Sequence, residues 1–556
     1  MIDWYEGSEY MSSSGLKIWY RDSVPCREAC PADTDIPGYL EAIYNNDYDL
    51  AYDINFNDNF FPEILGRVCS RPCEKSCRHG ENDNGESVSI CFSKRSSGRY
   101  SSKHTPKLQN QCSSTNKKIL VIGGGVAGLA ASAELIRFGH EVTLYEKHSS
   151  LGGMLNQGIP IFRLPRDIIE KEIKQITKLG IKVKLNKSIE SIKEIEELSN
   201  KFDAVICAMG TLKPNYLNQE FENSDNVENG LDFLLRVNEF NDKYVGQNVI
   251  VIGGGYTSMD CARTAIRLGA KTVKTFYRRE QGDLEILPGE LEELVNEKGK
   301  MIFRARPKKI IEKKGKLKYL ELNKTTVDKN NKLKDIPNSS FKIKTDHIIL
   351  AIGQKQSFLN NKPSDNIFYA GDYNLGATTL ITAIGDAKKV AKDVDKFLMK
   401  RSIHNEKYTI HRKKSTKRNL NLNYVPLTEM KLRTLKNRTF KAEVELGYNK
   451  LESKKESSRC YLCHYQYDID NNLCVLCDEC LLVKPVSGCI KELSSKSIDS
   501  KGEVIMNKIK PGKSHGIYHG LLYIDPKVCV RCGECEKACP TGAIKLSKVS
   551  KFNEQA

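Results

Sequence analysis

Short apolar runs, each closed by glycines and followed by a helical pattern, recur along the middle of the chain. KKILVIGGG, around Ile119, and QNVIVIGGG, around Asn248, are the clearest of them. A short continuous apolar run bounded by glycine is typical of a strand buried in a parallel sheet. The two runs therefore predict a duplicated strand–turn–helix unit inside an α/β region from residue 117 to about residue 400.

The first unit carries a dinucleotide-binding pattern. Gly123, Gly125 and Gly128 follow the strand with the spacing G-x-G-x-x-G. The first glycine permits the tight turn, the second lets the backbone approach a pyrophosphate at the helix N-terminus, and the third allows close helix–strand packing. Glu146 ends the next strand, where a carboxylate accepts hydrogen bonds from the adenosine ribose. This order of elements indicates a nucleotide site.

Two later segments indicate that this nucleotide is FAD. Gly152 and Gly153, in LGGMLNQGIPIFRLP, permit close backbone approach to a cofactor. Gly371 and Asp372 lie in NIFYAGDYNLGATTLITAIG, where a helix is predicted to begin near Thr379. In flavoproteins with two nucleotide domains, such an aspartate binds the ribityl–phosphate region and the helix N-terminus faces the electron-rich flavin pyrimidine.

The second unit differs from the first in the residues that select the nucleotide. Gly253, Gly255 and Ser258 repeat the turn, with serine in place of the third glycine. The following strand ends in Arg278 and Arg279, where NAD sites carry an acid. Because guanidinium groups bind a 2′-phosphate through paired, charge-assisted hydrogen bonds, the sequence favours NADP over NAD.

The chain has 19 cysteines, and most of them lie near its two ends. Six fall between Cys26 and Cys91, and ten fall between Cys460 and Cys539. Disulfide scaffolds are short secreted domains, whereas clustered thiols in a long chain indicate metal binding or redox chemistry.

The C-terminal cysteines have the spacing of a bacterial ferredoxin with two [4Fe–4S] clusters. Cys529, Cys532, Cys535 and Cys539 form a C-x2-C-x2-C-x3-C-P motif, in which the fourth thiolate binds the neighbouring cluster. The second motif has Lys484 where its fourth cysteine belongs, and Cys489 is the candidate substitute. We assign one cluster to Cys474, Cys477, Cys480 and Cys539. We assign the other cluster to Cys489, Cys529, Cys532 and Cys535.

The remaining terminal cysteines indicate at least one further cluster. PCREACPADTDIP contains Cys26 and Cys30, and GRVCSRPCEKSC contains Cys69, Cys73 and Cys77. Helices can bring two such groups to one [4Fe–4S] site, so about three clusters are expected in all. Cys460 and Cys463 form another C-x2-C pair, which we interpret as structural or unassigned because a zinc site needs two more ligands.

Charge and hydropathy exclude two classes of partner. The net charge of +17 arises largely between residues 400 and 441, where 13 Lys and Arg face only Glu406 and Glu429. No nucleic-acid recognition motif accompanies this charge, so we interpret the segment as a basic linker. No secretory signal pattern and no run of about 18 apolar residues is present, so no membrane association and a cytoplasmic location are expected.

These motifs resemble the small (β) subunit of NADPH-dependent glutamate synthase and related NADPH/FAD iron–sulfur oxidoreductases. The resemblance covers residues 24–398 and rests on the segments already quoted and on NFFPEILGRVCSRPCEKSC, CAMGT, GGGYTSMDCARTA, YRR and FYAGD. The C-terminal part resembles the dicluster ferredoxin domain of stand-alone oxidoreductases in this group. Family members usually carry Asn where this chain has Tyr256.

The resemblance implies a thioredoxin-reductase-like pair of Rossmann-like domains, with the NADPH domain inserted in the FAD domain and hydride passing to flavin N5. It assigns FAD binding and NADPH binding to the glycines, acids and arginines named above. For the N-terminal cluster it implies Cys30, Cys69 and Cys73, with Cys26, Cys77 or Cys91 as the fourth ligand. Relatives with two N-terminal clusters have further cysteines upstream of the position of Cys26, and this chain has none there.

The expected division of the chain is α/β at its centre with two iron–sulfur modules at its ends. It comprises a helical iron–sulfur domain (1–100), an FAD domain (117–230 and 346–400), an NADPH domain (231–345), a basic linker (401–455) and an α+β dicluster ferredoxin domain (456–548).

Three functions are compatible with this organisation. The preferred one is an NAD(P)H-dependent oxidoreductase that exchanges electrons between NADPH, [4Fe–4S] clusters and ferredoxin or a larger partner redox subunit, as part of a hetero-oligomer. The second is a glutamate synthase small subunit that feeds a separate large subunit. The third is a non-catalytic electron-transfer or docking subunit. No acid–base dyad or nucleophile is found, so no catalytic residue is assigned.

Overall fold

The N-terminal part of the computed structural model is a cluster of short helices, as the sequence predicts. Asp35 and Asp47 cap two of these helices, because their carboxylates accept hydrogen bonds from the backbone N–H of Gly38 (3.2 Å) and Leu50 (2.9 Å). The structure describes residues 13–81, 85–102, 106–211, 213–240, 242–356, 364–401, 406–416, 418, 425–498, 504–508 and 520–553. The helices are α1 (Ser13–Ser23), α2 (Pro25–Glu28), α3 (Ile36–Tyr44), α4 (Tyr48–Asn59), α5 (Pro62–Val68), α6 (Pro72–Lys75), α7 (Arg78–Glu81) and α8 (Ile90–Tyr100).

The first nucleotide unit is a five-stranded parallel sheet with helices packed against it. Its strand order is β16-β4-β1-β2-β3. The central strand is buried along four of its five residues, as the continuous apolar run predicts. The elements before the second unit are β1 (Lys118–Ile122), α9 (Val126–Arg137), β2 (Glu141–Tyr145), α10 (Met154–Gln157), α11 (Arg166–Thr177), β3 (Lys182–Lys184), α12 (Ile192–Ser199), β4 (Ala204–Cys207), β5 (Lys213–Pro214) and α13 (Gln219–Glu222).

The second unit contains another parallel sheet, ordered β6-β14-β7-β8-β9, and a smaller antiparallel sheet. The antiparallel sheet is formed by β10, β11, β12 and β13. The elements are β6 (Val227–Asn229), α14 (Gly230–Asn238), β7 (Asn248–Ile252), α15 (Tyr256–Arg267), β8 (Thr272–Phe276), α16 (Glu290–Asn296), β9 (Lys300–Ile302), β10 (Ala305–Lys313), β11 (Lys316–Val327), β12 (Leu333–Asp335), β13 (Phe341–Lys344) and β14 (His347–Leu350).

The chain then returns to the first sheet, so the second unit is inserted between two neighbouring strands of the first. The returning elements are β15 (Gln354–Lys355), β16 (Ile367–Tyr369), α17 (Asp372–Leu375) and α18 (Leu380–Met399). Both ends of the second unit differ from the limits expected from sequence, because β6 precedes residue 231 and β14 follows residue 345. A short apolar run such as HIIL suits any buried parallel strand, so it does not by itself indicate which sheet it joins.

The C-terminal module consists of two small antiparallel sheets and short helices. The sheets have the strand orders β17-β22-β18 and β20-β19-β21. The elements are β17 (Glu406–Lys413), α19 (Lys450–Ser458), β18 (Tyr465–Ile469), α20 (Glu479–Leu482), β19 (Ile490–Ile498), β20 (Val504–Lys508), β21 (Leu521–Ile524), α21 (Glu534–Ala538) and β22 (Ile544–Asn553).

The described part of the expected basic linker is packed against the rest of the protein. Residues 406–413 form β17, which pairs along its whole length with β22. Residues 425–448, which we name the strap, contact both the N-terminal helices and the second nucleotide unit. Arg438 in the strap pairs with Glu297 (2.8 Å), and Glu443 pairs with Arg67 (2.7 Å). The structure thus differs from the interpretation of residues 401–455 as a solvated linker, because its charges find buried partners far away in sequence.

Candidate functional site: a nucleotide cavity and four groups of cysteines

The first glycine turn connects β1 to α9 and permits no larger residue at two of its positions. Gly123 has φ +109°, and a Cβ there would lie 2.4 Å from the carbonyl oxygen of Ala208. A Cβ on Gly128 would lie 1.8 Å from the carbonyl oxygen of Gly123. At Gly125, by contrast, a Cβ would meet no atom within 4 Å. The turn is therefore tight at its base and open above Gly125, as a pyrophosphate cradle requires.

Glu146 lies at the end of β2, beside this turn. Its carboxylate is buried and accepts hydrogen bonds from the backbone N–H groups of Gly124 (2.7 Å) and His148 (2.9 Å). Each carboxylate oxygen can accept a second hydrogen bond, so Glu146 retains capacity for ribose hydroxyls. Gly152 and Gly153 follow, both with positive φ, and the N–H of Gly152 donates to the carbonyl of Gly124 (2.8 Å).

The start of α18 closes the other side of the turn. Thr379 caps this helix by accepting a hydrogen bond from the N–H of Thr382 (3.4 Å). Gly371 has φ +63°, and a Cβ there would lie 2.5 Å from the Cβ of Ala127 on α9. Asp372 accepts hydrogen bonds from the N–H (3.1 Å) and the hydroxyl (2.5 Å) of Thr378, and burial raises its pKa. The structure thus brings these predicted FAD-binding residues together.

A cavity of 330 Å³ lies over this surface and reaches three parts of the protein. Its FAD-side lining includes Gly125, Glu146 and Thr379, while Tyr256 and Thr257 at the start of α15 line it from the second unit. Ser70, beside Cys69, lines it from the N-terminal helices. Arg163, which also lines it, pairs with Asp260 (2.7 Å) and Glu290 (2.7 Å) of the second unit. Arg163 lies in the segment LGGMLNQGIPIFRLP, but its role was not predicted because its acidic partners are about 100 residues or more away in the sequence.

The second glycine turn repeats the first with a serine at its third position. Gly253 has φ +151°, and a Cβ there would lie 2.2 Å from the carbonyl oxygen of Ala351. Gly255 has extended backbone geometry and open space where a Cβ would stand. The hydroxyl of Ser258 donates to the carbonyl of Gly255 (2.6 Å), so the serine stabilises the turn from within the helix.

Arg278 and Arg279 follow β8 at the edge of the second parallel sheet. Arg278 is exposed, and Arg279 donates a weak hydrogen bond to Asn331 (3.4 Å). Arg304 is a neighbour that sequence reasoning missed, since its backbone N–H donates to the carbonyl of Arg279 (3.1 Å). The structure places the two predicted arginines at the same edge as the turn, because β7 and β8 are parallel neighbours.

One group of cysteines lies among the N-terminal helices beside the cavity. It consists of Cys30, Cys69, Cys73 and Cys91, all buried, and the thiol of Cys91 interacts with those of both Cys69 and Cys73. The buried side chain of Lys94 lies close by; burial lowers its pKa, but these four sulfur atoms raise it overall. The sequence left three candidates for the fourth ligand, and the structure brings Cys91 close to Cys30, Cys69 and Cys73.

Cys26 and Cys77 lie elsewhere, although both belong to the same sequence motifs. They line a second, small cavity together with Cys460 and Cys463 from the far end of the chain. This grouping was not expected from the sequence, in which Cys460 and Cys463 were left unassigned.

The C-terminal cysteines form the two groups expected from their spacing. Burial raises the pKa of Cys480 to about 11, and the neighbouring sulfurs of Cys474, Cys477 and Cys539 add to this effect. Burial and then Cys529 and Cys532 raise the pKa of Cys489 to about 11, while Lys484 lowers it. Cys535 lies within reach of Cys489 as well as of Cys529 and Cys532. The structure therefore brings Cys489 close to Cys529, Cys532 and Cys535, and its role as their fourth ligand stays a prediction.

Comparison with known proteins divides the chain in the same way. Residues 117–387 match the pyridine nucleotide-disulphide oxidoreductase family, residues 20–105 match dihydropyrimidine dehydrogenase domain II with its 4Fe-4S cluster, and residues 522–545 match the 4Fe-4S binding domain. These matches, and the relatives described next, make the chain similar to the glutamate synthase small-subunit-like NADPH/FAD iron–sulfur oxidoreductases.

The relatives of this chain are named for different activities. The chain is 27% identical over 431 residues to the NADPH-Fe(3+) oxidoreductase subunit beta of Geobacter sulfurreducens, covering 68% of this chain and 64% of the relative. It is 30% identical over 426 residues to the NADP(+)-dependent formate dehydrogenase subunit beta of Moorella thermoacetica, covering 68% and 60%. It is 28% identical over 313 residues to the glutamate synthase [NADPH] small chain of Azospirillum brasilense, covering 49% and 65%. The chain thus spans less than two thirds of the length of these relatives.

The residues present fit the cofactors of the oxidoreductase family. The space above Gly125 and the remaining acceptor capacity of Glu146 suit a dinucleotide, and grouped buried thiols are the donor set of iron–sulfur clusters. Among the described residues, no helix is long and apolar enough to cross a membrane.

Proposed function

We propose that the protein transfers electrons between NADPH and [4Fe–4S] clusters by way of FAD, and onward to ferredoxin or a larger partner redox subunit. The observation that carries this proposal is the shared cavity between the nucleotide turns and the N-terminal helices. One wall is the FAD-type turn, another is the start of α15 in the NADPH unit, and the third is the segment around Ser70, next to Cys69. The parts of the chain proposed to bind NADPH, FAD and a cluster therefore all border one space.

Each group of residues has a separate binding role in this proposal. Gly125 and the N-terminus of α9 bind the FAD pyrophosphate, Glu146 binds its ribose, and Asp372 binds the ribityl–phosphate region. Arg278 and Arg279 bind the 2′-phosphate of NADPH through charge-assisted hydrogen bonds. When bound, FAD supplies the conversion of a two-electron hydride transfer into single-electron steps, which clusters require.

The surface around Cys477 supports a redox partner at the C-terminal module. Cys477 is exposed, and Val475 (63%) and Leu482 (78%) expose large apolar side chains on the same loop and helix. Clustered exposed apolar residues commonly mark protein interaction sites. The relatives with subunit names are parts of larger enzymes, which also supports a partner subunit. Grouped thiols of this kind persist in a reducing compartment, which supports a cytoplasmic location.

Anaerobic kinetics of the full chain test the proposal. NADPH should bleach the flavin absorbance and reduce viologen dyes or ferredoxin without glutamine, 2-oxoglutarate or any large subunit. Cys477→Ser should leave flavin bleaching unchanged in stopped-flow measurements while slowing acceptor reduction, because it removes a ligand of the outermost cysteine group. Cys112→Ser, in a loop before β1, is the matched control and should change neither rate.

The glutamate synthase function predicts a different outcome of the same experiment. Similarity to the Azospirillum small chain favours it as the second candidate. If acceptor reduction required a glutamate synthase large subunit, or if Cys477→Ser left every acceptor rate unchanged, the proposed route through the C-terminal module would be wrong and the second candidate would replace it.

A further inference from the structure

Four cysteines from opposite ends of the chain line one small cavity between the N-terminal helices and the C-terminal module. Cys26 lies in α2 and Cys77 follows α6, while Cys460 and Cys463 lie between α19 and β18. The cavity measures 20 Å³, the same as the cavity lined by the ferredoxin-type group of Cys474, Cys477, Cys480 and Cys539. Apolar residues such as Ile36, Leu40, Val88 and Ile90 form most of the remaining lining, and Arg78 and His79 complete it.

Helix α19 holds the two parts of this cavity together. The carboxylate of Glu456 accepts hydrogen bonds from the backbone N–H groups of Ser89 (2.8 Å) and Thr428 (2.8 Å). It also pairs with the fully buried Arg459 (2.6 Å), which donates to the carbonyl of Ser87 (3.2 Å). The C-x2-C segment that follows Arg459 is therefore fixed against the N-terminal helices.

The loop after Cys460 has the same local geometry as loops in two of the other cysteine groups. The N–H of Leu462 donates to the sulfur of Cys460 (3.4 Å), and Leu462 has φ +51°. Arg71 after Cys69 (3.5 Å, φ +59°) and Arg531 after Cys529 (3.4 Å, φ +57°) show the same arrangement. Left-handed backbone at non-glycine residues is strained and concentrates at functional sites. Hydrogen bonds to ligand sulfurs also tune cluster potentials.

We propose that Cys26, Cys77, Cys460 and Cys463 bind a fourth [4Fe–4S] cluster, shared between the N-terminal and C-terminal modules. This inference deepens the proposed electron-transfer function and rests on it. Among the residues that the structure describes, no three His, Cys, Asp or Glu side chains lie close enough to share one metal ion. In a four-iron cube each thiolate binds a different iron, so its ligands lie further apart than those of a single zinc ion.

Buried positive charge surrounds this site, as an anionic cluster requires. The guanidinium of Arg418 is buried and donates to the carbonyls of Cys460 (2.9 Å) and Val530 (2.8 Å). The fully buried Arg531 donates to the carbonyl of Cys463 (3.4 Å). A buried charge is costly unless an opposite charge or hydrogen bonds compensate it, and four thiolates at this position supply that compensation.

The proposed cluster stands between the other cysteine groups. Ile90 lines the cavity of the proposed site and directly precedes Cys91 of the first N-terminal group, so these two groups of cysteines are neighbours. On the other side, Arg531 contacts both groups, since its backbone N–H donates to the sulfur of Cys529 (3.4 Å) and its guanidinium donates to the carbonyl of Cys463 (3.4 Å).

The order along the molecule is therefore the nucleotide cavity, the Cys30 group, the proposed site, the Cys529 group and the Cys474 group. Electron transfer along this order forms and breaks no bond. One electron arrives when the neighbouring reduced cluster is oxidised, and one leaves when the next cluster is reduced. The proposed site lies between the N-terminal helices and the C-terminal module.

Iron analysis of the anaerobically purified full chain is the first test. With one FAD per chain as the reference, four clusters correspond to about sixteen irons, whereas the three clusters indicated by the other groups correspond to about twelve. Mössbauer spectra of protein enriched in iron-57 show whether all of the counted iron is in four-iron clusters.

Serine substitution at the C-terminal pair is the second test. The double variant Cys460→Ser with Cys463→Ser should lose about four irons and the electron paramagnetic resonance signal of one reduced cluster. Its FAD content and the bleaching of its flavin by NADPH should not change, which separates failure of this inference from failure of the proposed function. Cys112→Ser is the control and should retain all of its iron.

Twelve irons in the unmodified protein would overturn the proposal, and so would about one bound zinc beside twelve irons. An unchanged iron content and resonance spectrum in the double variant would overturn it too. If the double variant does not fold, the count in the unmodified protein decides, with sixteen supporting the fourth cluster and twelve excluding it.

Discussion

In the proposed function, the two arginines that follow β8 select between NADPH and NADH. Arg278 is exposed, and Arg279 is bound only weakly by Asn331 (3.4 Å), so both guanidinium groups can turn towards a ligand at modest cost. An acid at this position would repel a 2′-phosphate, whereas two cations attract it. On this proposal, coenzyme choice depends on individual side chains on a common backbone.

Neutral residues at these two positions should reverse the coenzyme preference. In Arg278→Gln with Arg279→Gln, each lost charge-assisted contact should cost about 1.5–3 kcal/mol, so the apparent affinity for NADPH should fall at least about a hundredfold while that for NADH changes little. Flavin bleaching titrated with each coenzyme measures this. Lys271→Gln, at the opposite end of β8, is the control. A better response to NADH than to NADPH in the unmodified protein would refute the NADP assignment.

At the scale of elements, α5 links the cysteine-bearing helices to the FAD unit. Glu172 on α11 is fully buried, and its two oxygens accept hydrogen bonds from the N–H groups of Glu63 (2.7 Å) and Ile64 (3.0 Å) in the first turn of α5. Burial, and then the carboxylate of Glu63, raise the pKa of Glu172 to about 8. Cys69 follows the end of α5 directly, so this contact positions the first cysteine group.

Glu172→Gln should destabilise the protein in a pH-dependent manner. The amide has one acceptor oxygen, so one N–H of α5 loses its partner at a cost of about 1–3 kcal/mol. Because the folded pKa lies above the unfolded value, the native protein holds the proton of Glu172 more tightly than the unfolded chain does. The resulting contribution to the free energy of unfolding is fully present below about pH 4.3 and is lost as the pH rises to about 8. The difference in unfolding temperature between the variant and the unmodified protein should therefore shrink from pH 5 to pH 8.

Thermal unfolding of the anaerobic holoprotein at several pH values measures this difference. Glu170→Gln changes an exposed carboxylate on the same helix and is the matched control, with no effect expected at any pH. A gap between Glu172→Gln and the unmodified protein that stayed constant over this range would contradict the assigned proton binding.

At the scale of the whole molecule, the strap connects modules that are distant in sequence. Glu443 pairs with the buried side chains of Arg67 (2.7 Å) and Arg95 (3.0 Å). Arg438 binds Glu297 (2.8 Å), and the N–H of Val444 donates to the carbonyl of Phe162 (3.0 Å) in the FAD unit. One segment thus contacts the N-terminal helices and both nucleotide units, which limits their relative motion.

Removal of the Glu443 charge should loosen this connection. In Glu443→Gln, Arg67 and Arg95 lose their shared carboxylate, and a hydrogen bond to a charged group is worth about 1.5–3 kcal/mol. We expect a lower unfolding temperature and faster proteolytic cleavage within residues 425–448. Lys441→Gln, an exposed change in the same segment, should leave both properties unchanged. Equal cleavage rates in the two variants would show that the strap is held by other contacts.

The amino-acid sequence alone determined the features that depend on near neighbours in the chain. The two glycine turns, the carboxylate of Glu146 and the C-x2-C-x2-C-x3-C-P motif at Cys529 were all recognisable. Each depends on backbone geometry or ligand spacing within some 30 residues, which a linear pattern records. The insertion of one nucleotide unit in the other was implied by family resemblance, and its limits moved because β6 (VEN) and β14 (HIIL) are short strands whose sequences do not indicate which sheet they join.

Only the tertiary structure decided which cysteines meet and where the basic segment lies. Cys26 and Cys30 are four residues apart in one motif, yet Cys30 joins Cys91 while Cys26 meets Cys460 and Cys463. Such groupings depend on how α2, α8 and α19 pack, and packing depends on contacts between residues hundreds of positions apart. The charges of residues 401–455 likewise gave no sign of their buried partners, because an ion pair across modules leaves no periodicity in either segment.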